Sequence, residues 1–414
     1  MRSIFHIDAN SAYLSWTAAE MLRCGHSLDI RTVASVIGGD PEKRHGIVLA
    51  KSITAKKAGV QTGESLVEAK RKCPGLRVFA PDYNLYLQQS NAMYGILAEY
   101  SDIIERFSID ECYLDYTASV KAFGDPVETA HAIKERIKNE LGFTVNVGVS
   151  VNKLLAKMGS EMRKPDLVHT LFPEEIAEKM WPLPVRELFF CGRATEKKLA
   201  AVGLSTIGQV AAAPRSLMEA LLKPSMGKLI HEYANGIDDT PVNPNDGLVQ
   251  KGVGNSTTTS HDVTTQQEAA KVILALSEHV ASRIRKMGVG AQVVSVTVRN
   301  NELNFYRHQM KTDHAIDSTT EIYETAMRVF REMWRGDPLR LLGVHLGSLS
   351  ADSARQFSLF DKQDEEKLRK IDAVVDAIRS KHGESAVQRG VLAGSDVPPL
   401  RVGINDGNYL MMRD

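Results

Sequence analysis

The sequence predicts an α+β protein with several domains. At 414 residues the chain is too long for one ordinary hydrophobic core. Short β-like runs also alternate with segments of helical apolar periodicity in the order β-α-β-β-α-β, within residues 3–162 and again within 253–349. This order is typical of a sheet that is covered by helices, so two such units are expected.

The first alternation carries acidic residues near its strand ends and contains an inserted region. Apolar runs of four to eight residues indicate its strands, and apolar residues spaced three and four apart indicate its helices. Its predicted segments are strand 3–8, helix 11–22, strands 33–37 and 47–49, a helix near 66–72, helix 83–101, strands 103–107 and 112–116, helix 127–141, strand 143–151 and helix 153–162. Pro74-Gly75 marks the end of the insertion that begins near residue 30.

A helical region and a polar linker separate the two alternations. Residues 166–235 are mostly helical, and Cys191-Gly192-Arg193 followed by Val202-Gly203-Leu204 resembles a helix-hairpin-helix motif. Such a motif offers the backbone N–H groups near Gly192 to a phosphate, and a glycine turn in a plain helical bundle is the alternative. Residues 236–250 are rich in turn formers and indicate a linker.

The second alternation is smaller and is followed by a polar tail. Its predicted segments are strand 253–261, helix 266–287, strands 292–299 and 303–310, helix 318–334 and strand 341–349. The tail contains one charged helix over 365–382, which is expected to be exposed to solvent.

Composition and charge exclude several classes of protein. Hydrophobic residues make up 43% and charged residues 25% of the chain, the balance of a globular protein. The net charge of zero excludes a uniformly basic protein that coats nucleic acid. The four cysteines form no CxxC or Cys/His cluster, so neither structural zinc nor a disulfide framework is expected. Without an apolar run that could be a signal peptide or membrane span, a cytoplasmic location is expected.

Carboxylates concentrate where the first strand ends and where a later hairpin turns. Asp8 ends the first strand, and Asp110-Glu111 lies between two β-like runs. Residues 102–115 contain five acids and one base, Arg106. Carboxylates at close range repel one another unless a cation lies between them, which favours a metal site. The alternative is that each acid is a solvated turn residue.

The acidic hairpin belongs to a longer series of motifs. These are His6 to Tyr13, Ala55 to Gly63 with Glu68 to Lys70, Ser108 to Asp115, Val147 to Lys153, and Arg163 to Pro165. In this order they resemble the Y family of lesion-bypass DNA polymerases, especially its bacterial polymerase IV group. The resemblance covers about residues 1–360, and the conjunction of motifs makes it specific.

The resemblance implies a right-hand polymerase with a ferredoxin-like palm, small fingers, a helical thumb and a β-α-β-β-α-β little finger. The implied divisions are palm 1–20 and 75–165, fingers 21–74, thumb 166–235, linker 236–250, little finger 251–350 and tail 351–414. A primer 3′-hydroxyl would attack the α-phosphate of a deoxynucleoside triphosphate and release pyrophosphate. Open, small fingers would tolerate damaged templates and lower fidelity.

The resemblance also implies roles for single residues of the polymerase site. Two Mg²⁺ ions would be bound by Asp8, Asp110 and Glu111, with help from the carbonyl of Ala9. Tyr13 would be the steric gate that excludes a 2′-hydroxyl; the alternative is a helix residue packed in the core.

Two further residues would contact the triphosphate. Lys164 would bind it as a flexible point charge, and Lys56 would take part. Where the family usually has a Tyr and an Arg at this site, this chain has Ile53 and Lys56. This departure would weaken nucleotide binding or change its geometry.

Two more segments predict binding surfaces. The basic residues from 283 to 311 are opposed only by Glu302, and Arg299 and Arg307 would lie on neighbouring strands that face primer–template DNA. A solvated sheet face is the alternative. Gln356-Phe357-Ser358-Leu359-Phe360 resembles the sliding-clamp motif of bacterial polymerases, with Gln356, Leu359 and Phe360 as its anchors, unless the last two fold back onto the protein.

The sequence therefore predicts a monomeric, template-directed DNA polymerase. Three other interpretations fit the sequence less well. A non-catalytic accessory protein that binds DNA and the clamp would fit Ile53 and Lys56, but the three carboxylates and Tyr13 argue against it. A nucleotidyl cyclase would fit Gly38-Gly39-Asp40 only superficially, because the Glu-Phe that should follow is missing. A phosphatase with Asp8 as nucleophile would need an acid at the position of Asn10.

Overall fold

The computed structural model describes residues 2–39, 46–244, 250–351, 364–383 and 385–393. These residues form two compact units. The first is made of residues 2–38 and 48–244, and the second consists mainly of the described residues from 250 onward. Within the described ranges, no helix is both long enough and apolar enough to cross a membrane.

The first unit combines two sheets with a helical region. Its described strands are β1 (Ile4–Ala9), β2 (Ser35–Gly38), β3 (Val48–Lys51), β4 (Arg77–Phe79), β5 (Ile104–Arg106), β6 (Glu111–Asp115), β7 (Val145–Ser150) and β8 (Val168–Thr170). Its described helices are α1 (Ala12–Arg23), α2 (Ile53–Lys57), α3 (Leu66–Lys72), α4 (Tyr83–Ala98), α5 (Val120–Phe123), α6 (Pro126–Leu141), α7 (Lys153–Glu161), α8 (Ile176–Lys179), α9 (Arg193–Ala200), α10 (Ile207–Ala212), α11 (Arg215–Leu222) and α12 (Pro224–Ala234).

The larger sheet has the strand order β5-β6-β1-β7-β8. Strand β1 lies in its centre, runs antiparallel to both neighbours and is buried along its whole length. The four strands β5, β6, β1 and β7 are arranged as expected for the β-α-β-β-α-β order, and β8 extends the sheet by pairing parallel to β7. Helix α7 crosses one face of this sheet and helix α6 packs on β7.

The smaller sheet has the order β3-β2-β4, and it differs from the sequence-based expectation in one strand. The inserted region was predicted to end at Pro74-Gly75, but β4 lies beyond this turn and pairs parallel to β2. A strand of three residues is too short to show alternation, so its pattern could not predict it. Helix α2 was also missed, since it has only five residues; Ser52 caps its N-terminus.

The helical region contains the predicted hairpin. Helix α9 begins after Gly192, and α10 follows after a turn in which Gly203 has a φ of +80°. Glycine adopts this left-handed conformation without the steric cost of a Cβ. Buried apolar side chains such as Leu199, Ile207 and Val210 form a core that also includes Leu154 and Met158 of α7.

The second unit is one antiparallel sheet with helices. Its elements are β9 (Gly252–Val263), α13 (Gln266–Lys286), β10 (Gly290–Asn300), β11 (Phe305–Ile316), α14 (Thr319–Met333), β12 (Leu339–Ser350) and α15 (Asp364–His382). The strand order is β11-β10-β12-β9. Alternate residues of β10, including Val294, Val296 and Val298, form an apolar core with α13 and α14.

The helix of the tail is exposed along most of the residues whose burial is described, as the sequence suggested, but two of its acids pack against the rest of the second unit. Asp372 of α15 is 5% exposed and accepts a hydrogen bond from the backbone N–H of Thr319 at 2.8 Å. Asp376 accepts a 2.7 Å hydrogen bond from Nε of Arg285, so this guanidinium is already paired within the unit. Arg285 was counted among bases opposed only by Glu302, and that expectation was wrong because acids distant in sequence pack against it.

Candidate active site

Two carboxylates lie directly opposite each other in the centre of the larger sheet. Asp8 near the end of β1 pairs in register with Glu111 at the start of β6. Because side chains alternate along a strand, His6 and its cross-strand neighbour Tyr113 point to the same face as these acids. Like charges directly opposite each other destabilise a sheet. The presence of this pair therefore cannot be explained by the stability of the fold.

This pair opens into a cavity of about 1020 Å³. Its walls bring together most of the polymerase-site residues that the sequence singled out: Asp8, Ala9, Tyr13, Ile53, Lys56, Asp110, Glu111 and Lys164. Residues separated by more than a hundred positions therefore meet at one site. The grouping follows from the central position of β1 between β6 and β7.

Asp110 lies in the turn before β6 and lines the same cavity. Its carboxylate accepts a hydrogen bond from the hydroxyl of Ser108 at 2.7 Å, and its carbonyl accepts one from the N–H of Ala9 at 3.0 Å. These contacts anchor the turn to the end of β1. Burial is the main reason why the pKa of Asp110 is raised.

The carboxylates that lie closest together include one that was not predicted. Asp8, Glu111 and Glu161 each place an oxygen within 4.8 Å of the others, as three ligands of one metal ion would. Glu161 is the last residue of α7. It lies near the end of the predicted helix 153–162, and nothing in its local sequence distinguishes it from a solvated acid.

Two lysines neutralise part of this negative charge. Nζ of Lys164 lies 2.9 Å from Asp8 and 2.9 Å from Glu161. Nζ of Lys157 lies 2.7 Å from Glu111. Burial raises the pKa of Asp8 to about 7, against the opposing effect of Lys164. With four acids and two lysines, the cluster keeps a surplus of negative charge that a cation would stabilise.

The His6 ring contacts both Glu111 and helix α7. The ring is fully buried; Nε2 lies 3.2 Å from Glu111, and Nδ1 lies 2.7 Å from the hydroxyl of Ser160 on α7. Burial, followed by the charge of Lys157, lowers the pKa of His6 to about 4. Burial of Glu111 opposes ionisation, but its contacts with His6 and Lys157 outweigh that effect and hold its pKa below the usual range. This role of His6 was not predicted.

The donor set fits a hard divalent cation. Carboxylate and backbone carbonyl oxygens are the ligands that Mg²⁺ prefers, and no thiol or imidazole lines the cavity in the described part of the chain. Asp8, Asp110 and Glu111, with the carbonyl of Ala9, are the residues that would hold such ions. The acidic surplus supplies the electrostatic reason for metal binding.

Tyr13 both packs against the protein and faces the cavity. Its ring stacks on Tyr86 with centroids 4.3 Å apart and an interplanar angle of 4°. Tyr86 is fully buried and Trp16 packs beside the pair, so the ring of Tyr13 is held firmly. Tyr13 itself remains half-buried and lines the cavity. The two interpretations of this residue are therefore compatible.

The other predicted binding residues that the structure describes do not line this cavity. Gly192 precedes α9 and is exposed. In the second unit, Thr297 pairs with Arg307 and Arg299 pairs with Phe305, so the two arginines lie diagonally on one sheet face. Gln356, Leu359 and Phe360 lie outside the described residues.

Comparison with known proteins identifies relatives along nearly the whole chain. Two family models match: the impB/mucB/samB family over residues 7–161, and the impB/mucB/samB family C-terminal domain over 250–359. The DNA polymerase IV of Clostridium acetobutylicum is 45% identical over 389 residues, which cover 94% of this chain and 98% of the relative. The DNA polymerase IV 2 of Bacillus subtilis is 37% identical and covers 93% of both chains.

A solved structure shows the same fold. A Y-family DNA polymerase chimera matches with a TM-score of 0.71, 22% sequence identity and coverage of 84% of this chain and 99% of the chimera. The chain belongs to the Y family of DNA polymerases, in its polymerase IV group. Its enzyme class is that of DNA-directed DNA polymerases.

Proposed function

We propose that this protein adds deoxynucleotides to a primer 3′ end under the direction of a template, with low fidelity, and that it bypasses template lesions. The observation that supports this most strongly is the cross-strand pair of Asp8 and Glu111 at the cavity that also contains Asp110. A fold requires no such pair, whereas transfer of a nucleotidyl group requires concentrated negative charge to bind metal ions.

The reaction would be an in-line displacement at phosphorus. The primer 3′-hydroxyl would form a bond to the α-phosphate, and the bond to pyrophosphate would break. Two Mg²⁺ ions held by Asp8, Ala9, Asp110 and Glu111 would supply activation of the hydroxyl and charge neutralisation on the phosphates. Lys164, held by Glu161, would contact the triphosphate.

Sugar selection would depend on Tyr13. Its ring is fixed by the stack on Tyr86, so it would not move aside for a 2′-hydroxyl. A rigid aromatic ring beneath the sugar selects deoxynucleotides by shape, because it leaves no room for a 2′-hydroxyl. This role explains why a half-buried tyrosine faces a polar cavity.

The partners would be primer–template DNA and the sliding clamp, with the protein acting as a monomer. Gly192 would present backbone N–H groups to DNA, and Arg299 and Arg307 would contact its backbone without reading sequence. Gln356, Leu359 and Phe360 would bind the clamp. The divisions into palm, fingers, thumb and little finger remain part of this proposal.

Primer extension on undamaged and abasic templates tests the proposal. Asp110→Ala is expected to lower the extension rate by at least about 10³-fold while duplex binding persists, because a metal ligand is lost and the DNA contacts are not. Asp102→Ala is the matched control, since Asp102 is exposed and does not line the cavity. Extension by Asp110→Ala at the wild-type rate would refute the metal assignment.

A second candidate function is a non-catalytic accessory protein that binds DNA and the clamp. It is favoured by Ile53, which lines the cavity with a 52% exposed side chain but offers no hydrogen-bond donor to a triphosphate. The same assay separates the two, because an accessory protein would bind primer–template DNA without extending it in any metal or nucleotide condition.

A further inference from the structure

The cavity has a second charged wall, formed by a part of the chain distant in sequence from the carboxylates. It is formed by residues of β3 and α2 and contains two lysines, Lys51 and Lys56. The alternation of β3 buries Val48 and Ala50 and leaves Lys51 at the end of the strand, facing the cavity.

The other cations that line the cavity already have charged partners. Arg31 donates through Nε and Nη2 to the carboxylate of Asp29, and both contacts are 2.9 Å. Lys164 lies between two carboxylates, as described above. These two side chains are therefore already paired with carboxylates.

Lys51 and Lys56 differ from them. Lys51 donates to the neutral hydroxyl of Thr62 at 3.0 Å, and among the described residues no carboxylate lies within the 4.0 Å salt-bridge distance of either lysine. Burial, and after it the positive charge of Lys56, lowers the pKa of Lys51. Two ammonium groups that repel each other at the wall of a cavity would be stabilised by a bound anion.

The volume and the lining of the cavity indicate which kind of anion would fit. The space is large enough for a nucleotide, and its lining also includes the carboxylates that would bind metal ions. A polyphosphate bound in it would contact those metal ions and Lys51. Ile53, between the two lysines in sequence, supplies no donor, so the cationic contacts on this wall come from the lysines.

We propose that Lys51 is a triphosphate-binding residue which, together with Lys56, holds the incoming nucleotide at this wall of the cavity. This inference rests on the proposed polymerase function and deepens it. A lysine on a flexible stem suits a phosphate chain, because it acts as a point charge with three rotatable donors.

The test compares Lys51→Met, Lys51→Arg and Lys57→Met with the wild-type full-length protein. Lys57 is the matched control, because it lies on α2 and is exposed but does not line the cavity. Two measurements are made: equilibrium binding of a fluorescent non-hydrolysable deoxynucleoside triphosphate to the complex with primer–template DNA, and steady-state primer extension. Thermal unfolding of each variant checks the fold.

Lys51→Met is expected to raise the nucleotide Kd and KM about tenfold, the loss of one charge-assisted hydrogen bond. The kcat should change by less than about twofold, since the contact is made before the reaction as well as during it. Lys51→Arg should restore most of the affinity, and Lys57→Met should behave as wild type.

Unchanged nucleotide binding in Lys51→Met would overturn the inference. So would a loss shared by Lys57→Met, or a fall in kcat that accompanies a lower unfolding temperature, because either result would indicate a general or structural effect. Failure of the wild-type protein to extend any primer would instead refute the proposed function, so the two failures are distinguishable.

Discussion

Gly148 is the position where the site depends most directly on backbone packing. It lies in β7 directly opposite His6 of β1, on the face that α7 covers. A Cβ placed there would lie 1.8 Å from the carbonyl oxygen of Ala156 and 2.6 Å from the backbone nitrogen of Ser160. Helix and strand are therefore in backbone contact, and Gly148→Ala is the sharpest perturbation of this contact.

The size of the effect follows from that distance. A carbon atom and a carbonyl oxygen approach to about 3.3 Å at closest, so α7 would have to retreat by about 1.5 Å. Forcing such a shift on a packed interface costs about 3 kcal/mol, which for a unit of this size lowers the unfolding temperature by about 6–12 °C. The contacts of Lys157 with Glu111 and of Ser160 with His6, both 2.7 Å, would break.

Gly159→Ala provides the matched control in the same interface. A Cβ at Gly159 would lie 3.5 Å from the Cα of Gly148, an ordinary van der Waals contact. Because glycine in a helix is destabilising relative to alanine, this variant should be unchanged or more stable by about 0.5–1 kcal/mol.

Urea unfolding measures the loss of stability, and primer extension measures the effect on the active site. Trp16 is fully buried in the first unit, so its fluorescence contributes to the unfolding signal of that unit. Gly148→Ala should lose stability and also lose about 10²-fold in extension rate, as expected for a site displaced by more than 1 Å. Wild-type stability in Gly148→Ala, or an equal loss in Gly159→Ala, would show that the packing of α7 on β7 is not the cause.

Two further predictions concern selectivity and partners. Tyr13→Ala should raise ribonucleotide incorporation relative to deoxynucleotide incorporation by at least about tenfold, because the rigid ring no longer excludes the 2′-hydroxyl. Competition assays with both nucleotides check this, and an unchanged ratio would contradict the steric gate. Replacing Leu359 and Phe360 with Ala should abolish stimulation by the sliding clamp and spare basal synthesis, whereas unchanged stimulation would contradict the clamp assignment.

Several regular elements could be predicted closely from the sequence. Strand 3–8 corresponds to β1, helix 127–141 to α6 and helix 266–287 to α13, each within two residues at either end. These segments are long or strongly periodic, so local pattern is enough to indicate them. Strand β4 and helix α2 could not be predicted, because so few residues provide no period.

The site could be predicted only in part. Motif resemblance identified Asp8, Asp110 and Glu111, and the structure places all three at one cavity. Glu161 and Lys51 were missed, because an isolated acid in a helix and an isolated lysine after a strand look like ordinary surface residues. Only the tertiary structure shows that both side chains line the cavity.

The charge distribution could also be predicted only in part from the sequence. The sequence indicates segregated charges, with acids at 102–115 and bases from 283 to 311. The structure shows that these bases differ in their surroundings. Arg285 is paired with Asp376 of the tail helix, whereas Arg307 is exposed on β11. A side chain's availability for a ligand depends on neighbours that are distant in sequence.

By itself the sequence determined the family, the alternation of strands and helices, and the identity of the central carboxylates. These properties reside in local periodicity and in contiguous motifs. The tertiary structure decided which acids approach within metal-binding distance, which lysines are already paired, and how closely α7 approaches β7. Such properties depend on strand register and on distances between residues far apart in the chain, and these are settled only when the chain packs.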